Sequence, residues 1–486
     1  MAPIFTTRTG DATDASADAL IIPVYAGEAV PAALDSRLNG QLAATLASTG
    51  FGGRPGDVAA FATLGLLPAR WLILTGLGER GGHDERIRRG YGAAARRASE
   101  SGATNIAAAI PDDLGAEAVS AAVEGLALAL YRFPNYKSTG TLPGVAVGTV
   151  ELWSAVAFPG GAVAHGEAVA SGVALARDLV NTISGDKTPP LLAGMAQQIA
   201  RDAGLPCEMM DERALAEGGY NSILAVGQGS AAPPRLVELL YEPAGRPRKT
   251  IALVGKTITF DSGGLDLKSR DNMYTMKTDM GGGAAVLGAL HAIARLRPNV
   301  RVLGILAAAE NMPSGTATRP SDVVRALNGK TFENGNTDAE GRMVLADAVT
   351  HAARAGADEI IDIATLTGGV LGPRGTVALG TDQALVDRFL GAAGRAGERV
   401  WQLPLWEEFR DDLHSDIADI KSTGPAGAGA GTILGAYFIS EFTEGVPWLH
   451  LDIAMAAHTE RGGPYTPVGA TGVMVRALIR YVEDVE

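Results

Sequence analysis

The chain has 486 residues, more than one ordinary hydrophobic core accommodates, so two domains are expected. Its 41 basic residues against 54 acidic ones give a formal charge of −13, which argues against nucleic acid or an anionic membrane surface as main partner, since both require a basic footprint. The single cysteine, Cys207, excludes an internal disulfide and a cysteine-rich zinc site, and with no signal-peptide pattern and no apolar run near the roughly 18 residues of a membrane span, a cytoplasmic protein is expected.

From the N-terminus, ALIIPVY (19–25), RWLILTGLG (70–78) and TNIAAAIP (104–111) predict strands. Residues 85–101 and 115–132 predict helices with Ala, Leu and Val on one face. Such alternation is that of an α/β sheet with helical crossovers. The Gly- and Pro-rich stretch 133–163 interrupts it and reads as a last strand plus a linker; a helix follows over about 164–181. Alternation then resumes: PCEMMD, SILAVGQG, RLVELLYE, TIALVGK, VRVLGILAA and EIIDIATLTG each predict a strand. GAGAG at 427–431 reads as a glycine-rich loop entering a helix. The expected organisation is an N-terminal α/β domain over 1–155, a linker and connecting helix over 156–180, and a C-terminal α/β domain over 181–486.

Three segments carry chemistry. In IALVGKTITFDSGGLDLK (251–268), Lys256 stands at the end of a buried strand, Asp261 follows, and Lys268 lies beyond two glycines. Ligands of open α/β sheets bind at the carboxyl ends of strands. The plainer alternative is a lysine reaching to solvent and an aspartate capping a turn. In MYTMKTDMGGGAAVLGALHAIARL (273–296), Asp279 precedes three glycines and a helix. It is either an N-cap or a carboxylate aimed at a ligand that the glycines allow to approach. In NGNTDAEGRMVLADAV (334–349), Asp338, Glu340 and Arg342 crowd before a helix. Thr337 and Glu340 have the spacing of a capping box, which accounts for neither Asp338 nor Arg342. The combined charge of Asp261, Asp279, Asp338 and Glu340 balances two divalent cations; without a cation, clustered carboxylates repel.

Other chemistries fall away. There is no HExxH, and the seven histidines are scattered without ligand spacing. Asp261-Ser262-Gly263-Gly264 follows an α/β strand and has no histidine partner indicated. GKT at 255–257 and 329–331 lacks the leading glycine of a phosphate loop; Thr250 and Val324 stand there.

VGKTITFDSGGLDLK, MKTDMGGGAAV and NTDAEGRMVLAD resemble the signature blocks of the leucyl (cytosol) aminopeptidase family. ENMPSGTATRPSDVV (310–324), IATLTGG (363–369), GTILGAYFISEF (431–442) and PVGATG (467–472) match more loosely, so the resemblance covers essentially 165–486. It is weaker in 1–150, where LIIPVY, LTGLG and YRFPNYKS carry it. The resemblance implies a macro-domain-like N-terminal α/β module used in assembly and a C-terminal mixed-sheet α/β metallopeptidase domain. It implies Lys256, Asp261, Asp279, Asp338 and Glu340 as metal ligands, with Asp261 and Glu340 bridging. Lys256 would bind as a neutral amine, its pKa depressed by the cations. Lys268 and Arg342 become the catalytic pair, the arginine holding a bicarbonate ion that acts as general base. The implied reaction is hydrolysis of the N-terminal residue, preferably leucine or another apolar one, from peptide substrates by metal-activated water. Lys268, Met276, Asp279, Thr365 and Gly368 would contact substrate, with Ala454 as a further pocket residue. The implied cofactors are two divalent metal ions per subunit, Mn²⁺ or Zn²⁺, with Mg²⁺ also suited to the carboxylates. The implied assembly is a homohexamer.

The sequence departs from the family at DIAMAAHTE (452–460), where DIAG is usual, and at NTISGDKTPP (181–190). Two rival functions remain: a narrow dipeptidase, for a substrate such as cysteinylglycine, and a nucleic-acid-binding regulatory protein of the same fold. For the latter, RIRRGYGAAARR (86–97) is the basic stretch, and a solvated helix face is its plainer reading.

Overall fold

The computed structural model describes residues 2–81, 84–138, 142–425, 427 and 429–485; His83 and Ala428 of the GAGAG stretch lie outside them. The chain divides into two units, Met1–Ala174 with Glu460–Val468, and Leu175–Thr459 with Gly469–Glu486. The α/β, two-domain expectation holds, with a mixed sheet in each unit.

The first unit contains β1 (Ile4–Thr9), β2 (Ala19–Tyr25), β3 (Val58–Ala62), β4 (Trp71–Gly78), β5 (Asn105–Ala109) and β6 (Thr149–Ser154). Their order across the sheet is β1-β6-β5-β2-β4-β3. Neighbours pair in parallel except β3 with β4. Alternate residues of β2 feed two cores, as the two-residue period of a strand dictates. Ala19 and Ile21 pack with helices Asp84–Glu100 and Ala116–Ala129, while Leu20 and Ile22 pack with the shorter helices Ala32–Arg37 and Gln41–Thr49. The excursion Glu460–Val468 joins this unit through Tyr465, whose hydroxyl donates to Glu85 at 2.9 and 3.0 Å, and through Arg96, which donates to the Thr466 carbonyl at 3.1 Å.

The second unit contains β7 (Cys207–Met210), β8 (Arg235–Tyr241), β9 (Thr250–Asp261), β10 (Arg301–Asn311), β11 (Val323–Arg325), β12 (Thr331–Glu333), β13 (Glu359–Ala364), β14 (Thr376–Gly380), β15 (Val400–Gln402), β16 (Ile420–Lys421) and β17 (Trp448–Asp452). Eight of them form one sheet in the order β15-β14-β17-β13-β9-β10-β8-β7; β11, β12 and β16 form a small one. β10, β9, β13 and β17 are parallel neighbours, flanked by antiparallel β8 on one side and β14 on the other. Every residue of β13 is buried, the pattern of a parallel strand covered on both faces. Leu303 and Ile305 of β10 pack with helix Glu340–Arg354, while Gly304 between them faces Val286 and Leu290 of helix Gly281–Leu296, so these helices lie on opposite faces of the sheet.

Two local expectations are corrected. SILAVGQG is not a strand: residues Asn221–Gly227 form a helix. The Asp347 carboxylate accepts from the backbone N–H groups of Ser222 (2.8 Å) and Ile223 (3.1 Å) at its first turn. A short apolar run has no period that separates a strand from a buried helix, and here a distant side chain decides. Lys256 does not stand at a strand end, because β9 continues to Asp261. Among the described residues no helix is long and apolar enough to cross a membrane.

Candidate active site

β9 pairs with β10 as far as Ile258 and, after an irregularity at Ala309–Asn311, again where Asp261 faces Asn311. Lys256 lies inside β9 and is 2% exposed, so it does not reach solvent. Its ammonium is 2.8 Å from Asp279 Oδ1 and 2.8 Å from Glu340 Oε1, and it donates to the Thr365 carbonyl at 2.8 Å. Two glycines permit this convergence. A Cβ on Gly282 would lie 1.9 Å from the Ile363 carbonyl oxygen, so the helix carrying Asp279 at its head begins directly against β13. A Cβ on Gly341 would lie 2.7 Å from Lys256 Nζ, so the helix beginning at Glu340 touches the lysine. Thr365, at the end of β13, donates from its hydroxyl to Asp279 Oδ1 at 2.7 Å.

The neighbouring half of the cluster is built on Lys268. Its ammonium is 2.9 Å from Asp261 Oδ2 and also contacts Asp338 Oδ1. One oxygen each from Asp261, Asp338 and Glu340 lies within 4.8 Å of the others, a spacing that one cation can span.

The capping alternatives divide. Asp279 does not cap its helix, whose N-cap is Met280 with no side-chain bond. Thr337 and Glu340 form no capping box: the N-cap there is Ala339, and the Thr337 hydroxyl donates to Gly263 O (2.7 Å) and accepts from Asp266 N (2.8 Å). Asp261 does both jobs, accepting from Gly263 N at 2.8 Å through Oδ1 while Oδ2 faces Lys268.

Electrostatics follow from this crowding. Burial pushes the Asp279 carboxyl well above the ordinary carboxylate range, Lys256 opposes, and Glu340 and Asp261 add to the rise. Burial and Asp261 raise Glu340, and burial raises Asp338 against the pull of Lys268. For Lys256 burial works to lower the pKa, but Asp279, Glu340 and Asp261 outweigh it and hold the ammonium above the ordinary lysine value. The carboxylates of the site thus outnumber its ammonium groups. Asp279 Oδ2 and Glu340 Oε2 are buried and take no hydrogen bond. An unsatisfied buried acceptor costs about 1–3 kcal/mol, and more when charged. An oxygen-rich set with one amine nitrogen, excess negative charge and bare buried oxygens fits divalent cations of the Mn²⁺, Zn²⁺ or Mg²⁺ kind.

Arg342 is 7% exposed, and burial lowers its guanidinium to about 10. It donates to the Ser422 carbonyl at 2.8 Å, while its Nε is buried without a partner. The expected pocket residues lie apart in character: Thr365 is buried against Asp279, Met276 is half-buried in the turn before Asp279, and Gly368 is exposed in the loop after β13. Met455 stands where the resemblance expects glycine, and its side chain lies over that loop. A Cβ on Gly369 would be 2.4 Å from Met455 Cγ.

Sequence reasoning missed Asn311 and Asp452 and gave Thr337 only a capping role. Asp452 accepts from Leu366 N (3.2 Å), Ala454 N (3.1 Å) and the Thr367 hydroxyl (2.6 Å), fixing the loop after β13. These are neutral or loop-anchoring groups, and only their place inside matched blocks could have flagged them.

The catalytic-domain model of the cytosol aminopeptidase family matches residues 174–479, and its N-terminal domain model matches 21–140. A probable cytosol aminopeptidase of Roseiflexus castenholzii is 41% identical over 99% of each chain, and one of Streptomyces coelicolor is 42% identical over 98% of each. Among solved structures, a tomato leucine aminopeptidase mutant superposes with TM-score 0.89 at 33% identity, covering 100% of this chain and 97% of that one. The bottromycin maturation enzyme BotP in complex with Mn superposes with TM-score 0.86 at 38% identity, covering 97% of this chain and 100% of that one.

Proposed function

This chain belongs to the cytosol aminopeptidase family, whose chemistry is metal-dependent hydrolysis at the N-terminus of peptides, and we propose that it removes leucine or another apolar N-terminal residue at a two-cation site spanning Lys256 to Glu340. The observation that carries this reading is the pair of buried, donorless oxygens, Asp279 Oδ2 and Glu340 Oε2, within a cluster of excess negative charge. Two divalent cations held by Lys256, Asp261, Asp279, Asp338 and Glu340 would supply Lewis acidity toward the peptide carbonyl and an acidified water. The Mn complex of a structural relative supports Mn²⁺, and the lysine nitrogen is compatible with Zn²⁺.

The chain's own residues do the rest. Lys256 must give up its proton to act as a ligand, so cation binding competes with protons and strengthens as pH rises. Lys268 is held above the ordinary lysine value by Asp261 and Asp338 against the effect of burial, and stays charged at neutral pH. An ammonium aimed at the scissile carbonyl stabilises the oxyanion that develops on it. Asp279 lies near enough to help hold the free α-amine of the peptide, a contact that restricts cleavage to the chain end. Arg342, whose Nε is buried without a partner, would hold a bicarbonate ion able to supply the general base. Met276, Thr365 and Gly368 receive the N-terminal side chain, where each methylene is worth about 1–3 kcal/mol of discrimination.

The test is hydrolysis of leucine-p-nitroanilide by metal-stripped protein, with and without added Mn²⁺ or Zn²⁺, beside an Asp338→Ala/Glu340→Ala variant. Activity restored by metal and absent from the variant supports the reading. Remetallated wild-type protein inactive on leucine and on a panel of other N-terminal residues would refute it.

A further inference from the structure

The block ENMPSG (310–315) matches the family, yet nothing in the proposed chemistry uses it. Its second residue, Asn311, ends β10 and is 5% exposed. The irregularity in the β9–β10 pairing brings it opposite Asp261. Its side-chain amide donates to Asp261 Oδ1 at 2.8 Å and to the Thr337 carbonyl at 3.0 Å. Its own carbonyl accepts from Ser262 N at 3.0 Å and from the Ser262 hydroxyl at 2.7 Å. One residue therefore binds the segment that follows Asp261 and the segment that delivers Asp338 and Glu340. Gly264 completes the fit, since a Cβ there would lie 2.9 Å from Asn311 Oδ1.

We infer that Asn311 is a positioning residue that sets the cation affinity of the site, by clamping Asp261 Oδ1 and the Thr337 backbone with one neutral amide. The inference rests on the two-cation reading above. The chemistry favours an amide at this position. Asp261 Oδ1 takes one donor from Gly263 N and one from Asn311, so that oxygen is turned away and Oδ2 is presented to the cluster. A lysine or arginine in that place would satisfy the same oxygen but add a positive charge beside the cations. An apolar residue would leave Asp261 Oδ1 with the Gly263 donor alone and the Thr337 carbonyl buried without a donor. Partners of this outer kind orient ligands, and their loss typically weakens metal binding roughly 10–100-fold.

The experiment is Mn²⁺ binding by the full-length protein, read by competition with a chelating dye, for wild type, Asn311→Leu, Asn311→Ser and Asp338→Asn, each first checked by circular dichroism and thermal unfolding. Asn311→Leu keeps the branched shape in a bulkier side chain and removes the donor; Asn311→Ser is smaller and keeps a shorter donor, which guards against a misfolded leucine variant. The expected result is a roughly 10–100-fold weaker Mn²⁺ affinity in a folded Asn311 variant, with activity recovered at saturating Mn²⁺. Folded variants that bind Mn²⁺ as tightly as wild type, while Asp338→Asn binds weakly, would overturn the positioning role and leave the two-cation reading intact. Wild-type protein that binds no Mn²⁺, Zn²⁺ or Mg²⁺ would overturn that reading and the positioning role with it.

Discussion

In the N-terminal unit, buried Arg88 lies 2.8 Å from Glu124 Oε2 and 2.9 Å from Glu85 Oε2. Tyr465 donates to both oxygens of Glu85, and Ser120 donates to Glu124 Oε1 at 3.4 Å. In the catalytic unit, Lys256 and Lys268 likewise sit between carboxylates at hydrogen-bonding distance, yet Asp279 Oδ2 and Glu340 Oε2 receive no donor. Both clusters are buried and both are acidic. What separates them is completeness: the first supplies a donor to every carboxylate oxygen, and the second leaves oxygens facing inward for something the chain itself does not provide. Burial of charge by itself therefore does not mark a site; unbalanced and unsatisfied charge does.

The largest expected effect breaks the closed cluster. Glu124→Ala strands Arg88 without its most buried partner and should cost about 3–5 kcal/mol in denaturant unfolding, with kcat of the remaining folded protein unchanged. An Arg88→Met/Glu124→Leu pair should recover most of that loss. A single variant within about 1 kcal/mol of wild type would show that the cluster is not the closed unit described.

Next comes the open cluster. Lys268→Ala should lower kcat on leucine-p-nitroanilide about 10²–10³-fold, measured at saturating metal and substrate. Unchanged kcat would remove Lys268 from the chemistry. Glu340→Gln should raise the thermal midpoint of metal-stripped protein, the opposite sign to Glu124→Ala, because the amide relieves a carboxylate disfavoured by burial and by Asp261. A lowered midpoint would contradict the excess-charge account.

A pH-dependent effect concerns Asp347, a closed site of a third kind. Burial raises its pKa from 3.8 to about 6, against the pull of the backbone donors Leu327, Ile223 and Ser222. The folded state then holds this proton more tightly than the unfolded chain. Stability should rise as pH falls from about 6 toward 3.8, by up to ~1.4 kcal/mol per pH unit, and that increment should be missing from Asp347→Asn. Parallel unfolding curves for the two proteins across that window would contradict it.

The comparison also explains what the sequence disclosed. The α/β alternation was legible because parallel strands such as β10 are short, mainly apolar runs buried along almost their whole length, set between longer helix-forming segments. The charged residues of the site were legible because Lys256, Asp261, Asp279, Asp338 and Glu340 are costly to bury, and their clustering in short segments has few structural uses. The helix at Asn221–Gly227 was not, because its start depends on Asp347, more than a hundred residues away in the chain. Asn311 and the part Thr337 plays beyond capping escaped for the same reason: both residues act by donating to groups in other segments, and only the folded geometry names those partners. The passage of Glu460–Val468 into the N-terminal unit uses the Tyr465 hydroxyl on Glu85 and the Arg96 guanidinium on the Thr466 carbonyl, contacts that composition does not reveal.

The most direct test of the account is to count cations. Metal-stripped protein equilibrated with Mn²⁺ by dialysis and analysed for bound metal should carry two ions per chain, and the Asp338→Ala/Glu340→Ala variant should lose at least one of them while remaining folded. Wild type and variant carrying the same amount of metal, or neither carrying any, would contradict the claim that the unsatisfied carboxylates of this cluster are a two-cation site.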